Sequence, residues 1–228
     1  MIYLAGLALI LTAERGPSPI PPEGATHMTV LFAGAEGGES RFVRKADGSF
    51  ESTTKLAIGG TKIDGRISGH YMGSSLTDYV LDQSGQGGTI KLTFSQKKIV
   101  AEPANGKPVD LPIPKTTIYI GSLHPAFTAS ALSAANWSKK EVQTVSVYLV
   151  DGGATIDAKI TPQDERTVSA GKVRRYRVQI GMADEQVSMT DDGKIVGIDV
   201  PGQKLRFVAD GWQALYEDPF AKYPELSA

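Results

Sequence analysis

Three histidines, His27, His70 and His124, are by type the residues best suited to acid–base or metal chemistry in this chain. Their spacing argues against both, since a zinc site legible in sequence needs ligands at short fixed intervals such as H-E-x-x-H. No pair stands at such an interval, and all three are expected to be strand or cap histidines. Serine chemistry has no better footing. A G-x-S-x-G elbow is absent; Gly73-Ser74-Ser75 and Gly121-Ser122-Leu123-His124 come nearest, and Ser122 reads as a helix cap. There is no P-loop and no G-x-G-x-x-G. Asp191-Asp192-Gly193 lacks the spaced acids and terminal Glu of a calcium loop, and a hairpin turn accounts for it. The basic run Arg174-Arg175-Tyr176-Arg177 would divide between the two faces of a strand, as a solvated strand does. Asn136-Trp137-Ser138 fits a glycosylation sequon, which has meaning only in a eukaryotic secretory route. Carboxylates are plentiful, so a dispersed acid–base pair stays open. No catalytic, metal or cofactor residue is assigned.

The bulk numbers narrow the classes further. With 24 Lys+Arg against 25 Asp+Glu in 228 residues, the chain offers no electrostatic footprint for nucleic acid or for a charge-driven membrane role. Cysteine is absent, which excludes disulfides, thiolate metal sites, a Cys nucleophile and the acylated cysteine of a bacterial lipoprotein. Hydrophobic residues make up 41%, enough for a sizeable core. Ile2 to Ala13 is almost unbroken apolar, too short to span a bilayer and of signal-peptide length. It lacks a basic residue near Met1, and a first strand or helix docked on the body is the alternative. The expected organisation is a signal peptide at 1–13, a Pro-rich linker at 14–25, one β-rich domain at 26–212 and a tail at 213–228. Export to a bacterial periplasm or the exterior follows, with no transmembrane helix after processing.

These residues would be positioned by strands. Ile90, Leu92 and Phe94 alternate with Lys91 and Thr93; Val145, Val147 and Leu149 alternate with Ser146 and Tyr148. The same period recurs through 154–160, 176–180, 196–200 and 205–209, as in antiparallel sheets with one wet face. Gly-rich turns separate the runs: Asp47-Gly48, Gly59-Gly60, Gly87-Gly88, Asp151-Gly152-Gly153, Asp192-Gly193 and Pro201-Gly202. GGTKIDGRI (59–67) nearly returns as GGATIDAKI (152–160), and both read as a hairpin turn followed by a strand, although a duplicated half-domain stays open. Pro103 to Lys115 reads as an edge or loop. Ser122 to Trp137 breaks the rhythm and predicts a helix, with Pro125 in its first turn. Leu123, Phe127, Ala134 and Trp137 share one broad face, Ala131 lies on its edge and Leu132 lies opposite. The expected fold is mainly β, a curved antiparallel sheet or open barrel with this helix in its concavity. Leu123, Phe127 and Trp137 form the candidate face for an apolar ligand, or the underside of a lid.

The C-terminal third, around Arg175-Tyr176, the Asp191-Asp192-Gly193 hairpin and the aromatic exit Trp212 to Tyr216, resembles the end of exported β-rich domains. Such domains precede serine hydrolases of the cocaine-esterase and X-Pro dipeptidyl-peptidase type, and a segment like Tyr223–Ser227 leads into the hydrolase. The resemblance implies an accessory domain with a partner hydrolase, or the N-terminal part of a hydrolase whose catalytic residues lie elsewhere. In architecture alone the chain is also similar to the half-open β-barrels of periplasmic lipoprotein carriers, which bears on fold and not on function.

Overall fold

The computed structural model describes residues 20–58, 60–85, 88–95 and 98–216. The expected signal segment, residues 14–19 of the linker and residues 217–228 lie outside them. The first half of the chain is a run of strands: β1 (Gly24–Phe32), β2 (Ala35–Arg44), β3 (Ser49–Ile58) and β4 (Thr61–Met72). It continues through β5 (Ser75–Gly85), β6 (Gly88–Ser95), β7 (Lys98–Pro103) and the short β8 (Val109–Leu111). After β9 (Tyr119–Ile120) come a 3-10 turn, Pro125–Phe127, and the helix α1 (Thr128–Ala134). The second half is β10 (Gln143–Leu149), β11 (Ala154–Val168), β12 (Gly171–Ile180), β13 (Ala183–Met189), β14 (Ile195–Val200) and β15 (Leu205–Ala209).

All the strands belong to one open, curved sheet, ordered β8 through β1, then β15 back through β9. β1–β8 and β10–β15 are each a meander, β9 adds parallel to β10, and the two halves join where β1 pairs antiparallel with β15, Met28 opposite Ala209. The last strand thus lies beside the first, and the sheet's two edges are β8 and β9, which are neighbours in sequence. β8 runs between Pro108 and Pro112, which lack the N–H a further strand would need. The fold is therefore a curved antiparallel sheet with one short helix, as the alternation predicts.

Both near-repeats are hairpins. The first joins β3 to β4 with Lys55 opposite Asp64; the second joins β10 to β11 with Ser146 opposite Asp157. Gly60 and Gly153 supply the positive φ these turns require, at 82° and 62°. Pro201-Gly202 differs: it is a 3-10 turn, and the left-handed residue is Lys204, at φ 54°. Pro162 lies inside β11, at the register shift between Pro162 and Glu165, where a bulge spares the missing N–H.

A sheet this wide cannot stay flat, because strand twist accumulates until it curls on itself. Curling produces two apolar cores. One lies inside β10–β15 and includes Val147, Ile160, Val178, Val187 and Phe207; the other lies against β2–β7 and includes Phe42, Ile67, Leu81 and Leu92. β10 serves both. Val147 faces the first core, while Tyr148, on the face expected to be wet, packs into the second, its hydroxyl accepting from that of Tyr79 at 3.1 Å. The helical segment likewise bridges them: Ala129, Ala131 and Leu132 join the first core and Phe127 the second.

The helix is shorter than the span Ser122–Trp137 predicted for it. Pro125 opens the 3-10 turn before it, capped at His124 instead of Ser122, and the cap position of α1 itself is Phe127; neither cap makes a side-chain bond. At the other end Ala135 is already extended, and the Asn136 side chain accepts the Ser138 N–H at 2.9 Å. That local turn competes with helical bonding, and the Gln143 side chain holds it by accepting the Asn136 N–H and donating to its carbonyl. At the domain limits, β1 begins at Gly24, inside the expected linker, and Leu215 of the expected tail is buried.

Candidate functional site

In β13, Ala183, Glu185 and Val187 share one face of a period-two strand. Glu185 therefore points to the side on which Val187 enters the core. Around it stand Leu149 of β10, Ile156 of β11, Ile180 of β12, Ile198 and Val200 of β14, and Leu205 and Phe207 of β15. Leu123, on the segment before α1, completes a pocket of about 380 Å³ at the end of the β10–β15 lobe. The walls are aliphatic because each strand contributes its inward residues just where the core runs out. Glu185 is the sole ionisable side chain in the lining.

Glu185 has no ion-pair partner among the described residues, and burial, reinforced by the charges of Asp151 and Asp184, pushes its carboxyl up to about 7. Asp184, next in sequence, faces away and accepts from Arg177 at 2.6 Å. Asp151, after β10, accepts the Leu123 N–H at 2.8 Å and so ties the pocket's segment to the β10–β11 turn. Burial also raises the Asp151 carboxyl, partly offset by the backbone N–H groups of Leu123 and Ser122.

Behind this segment lies a second polar group, sealed from solvent. His124 Nδ1 is 2.9 Å from Ser52 Oγ, the Thr54 hydroxyl donates to the Leu123 carbonyl, and Ser40 bonds Thr54 at 2.8 Å. Burial lowers His124 to about 3, so the ring is neutral at ordinary pH. Its Nε2 has no partner among the described residues and faces Gly65, where a Cβ would stand 3.2 Å away. A Ser–His contact invites a catalytic reading, yet Ser52 and His124 are 1% and 0% exposed. Burial alone acts on the ring, with no carboxylate to orient it among the described residues. The group fastens the 121–124 segment to β3. It has no route to a substrate.

The other histidines are exposed strand residues held by acids: His27 Nδ1 is 3.0 Å from Asp210, and His70 Nδ1 is 3.0 Å from Asp78. No group of three His, Cys, Asp or Glu side chains placed to hold a metal occurs among the described residues. Grooves on the exposed face of β2–β4 carry charges that pair with one another, such as Arg66 with Glu51 at 2.7 Å.

The three residues singled out in sequence are not brought together. Leu123 lines the pocket. Phe127 is wholly buried, edge-on to Phe42 and Phe50 with centroids 6.0 and 5.4 Å away. Trp137 lies beyond the helix end, against Tyr176 at 5.1 Å with the Lys140 ammonium 3.7 Å above its ring. Glu185 escaped sequence reasoning, although its parity with Val187 marked it: an acid at an inward position of a strand is costly and asks for a reason.

No family model matches the chain, and no curated protein matches it in sequence. In structure it is similar to a β-barrel-like protein of the domain of unknown function DUF1849 from Brucella abortus. The two align with a TM-score of 0.56 and 8% identity, over 83% of this chain and 96% of that one. A DUF1089 family protein from Pseudomonas aeruginosa aligns at TM-score 0.41 and 12% identity, over 89% of this chain and 97% of that one. The first likeness shows a β-barrel-like fold.

Proposed function

We propose that the protein is an exported, non-catalytic β domain that binds an apolar small molecule in the pocket beside Leu123 and Glu185. The pocket carries this reading: its volume of about 380 Å³ falls within the usual range of small-molecule sites, and apolar walls with a few placed polar groups are their usual lining. Apolar wall left in water forgoes roughly 25 cal/mol per Å², which a ligand recovers on covering it. Export rests on the apolar run 2–13. The alternative, service to a partner hydrolase, is supported by the likeness of the C-terminal third to hydrolase-preceding domains.

The test is titration of a neutral naphthylamine fluorophore into the full chain. One-site, saturable enhancement is expected, displaced by dodecanol and weakened at least tenfold by Ile180→Gln, which puts an amide into the wall. Non-saturable binding, or binding indifferent to that change in a folded variant, refutes the reading. Export is checked by the intact mass of protein recovered outside the cytoplasm, which should lack about 13–20 N-terminal residues.

A further inference from the structure

We infer that the pocket selects a cationic amphiphile, an apolar body whose protonated amine head seats against Glu185. The inference rests on the ligand-binding reading above and names the chemical class of the ligand.

Charge complementarity carries it. No Lys, Arg or His lines the pocket, and the polar groups beside Glu185 in the lining are Ser122 and Gln203. Nearby strand acids are satisfied by the protein itself, Asp184 by Arg177 and Asp199 by Arg206. Glu185 has no such cation among the described residues. From β12 it meets its register partner Val178, from its own strand Asp184, and from the turn after β10 Asp151. The charges bearing on it are thus all negative, and the Asp151 carboxylate is already taken up by the Leu123 N–H. An anionic head such as a fatty carboxylate would meet like charge in a poorly hydrated site. An ammonium would supply the missing partner, and charge-assisted bonds are strong where water is scarce.

Binding is then linked to a proton. Burial holds the Glu185 proton up to pH about 7, and an ammonium must displace it, so affinity for the amine weakens as pH falls through that value. Asp151, also raised by burial, shifts the same way.

Dodecylamine, dodecanol and dodecanoate, each below its aggregation concentration, are tested as displacers of the neutral fluorophore from the full chain. At pH 8 dodecylamine should displace it at a concentration at least about tenfold below dodecanoate. At pH 6 its advantage over dodecanol should shrink by up to about tenfold, the limit for one proton near its pKa. Glu185→Gln should erase the amine's advantage over dodecanol, both measured against the same fluorophore in that variant, and Glu185→Asp should keep it. Fluorophore binding without head-group preference, a preference for dodecanoate, or an amine preference that survives Glu185→Gln overturns this inference and spares the pocket. Failure of both fluorophore and dodecanol to bind removes the pocket reading and this inference with it.

Discussion

Replacing Glu185 with Gln should make the unliganded protein more stable, by an amount that grows from about pH 4.5 to a plateau above about 7. The change keeps the side chain's size and removes its charge. Burial and two neighbouring acids lift the folded-state carboxyl from 4.5 to about 7, and each unit corresponds to about 1.4 kcal/mol. A folded-state pKa above the unfolded one contributes stability that is complete below pH 4.5 and lost as pH rises through 7. The whole shift would cost about 3 kcal/mol above pH 7. Because the carboxyl opens on the pocket, water screens part of this, and about 2 kcal/mol is expected. Glu185→Gln should therefore match the parent near pH 4 and exceed it by about 2 kcal/mol at pH 8. Urea unfolding followed by tryptophan fluorescence at several pH values measures the difference. A difference that is flat with pH, or a variant less stable at pH 8, would refute the claim that Glu185 is half-buried without a cation.

Phe127→Ala should cost roughly 3–5 kcal/mol, the usual loss for a buried Phe, and leave fluorophore binding intact because the ring faces away from the pocket. Near-parent stability in thermal melts would place the helix outside the core. His124, lowered by burial to about 3, contributes stability that is present above pH 6.5 and lost as pH falls towards 3, on the order of 5 kcal/mol in total. His124→Gln should begin less stable but lack this acid slope, and parallel pH curves for the two proteins would show the ring to be solvated. Gly48→Ala should cost at least about 1–3 kcal/mol, since φ is 86° and the new Cβ would stand 2.2 Å from the Tyr71 carbonyl oxygen. An unchanged urea midpoint would show that the β3 hairpin adopts another turn.

Period-two runs and glycine turns are local facts, and they were enough to specify a β-rich chain, half of its hairpin turns, the neighbourhood of its one helix and a curved sheet. Val178 and Phe207 are buried because alternation places them inward. What alternation leaves open is which outward faces a distant part of the chain will cover. Tyr148 is buried because β10 tucks against β5 and β6, and Val208 is buried on the face where Tyr216 lies over Arg206 and closes on Gly197. Both depend on the long-range pairing of β1 with β15 and on the roll of the sheet. The candidate site divides in the same way. Leu123 was legible as an apolar residue on a helical approach, whereas Phe127 and Trp137 parted from it once the Asn136 turn ended the helix and Phe127 entered the second core. Glu185 went unread because the run 183–189 was not singled out as a strand, and its want of a cation depends on strands β10 and β12 and the turn after β10 meeting around it. Local sequence decides each strand's two faces; only tertiary curvature decides which charges share a pocket, since that is set by contacts between residues far apart in the chain.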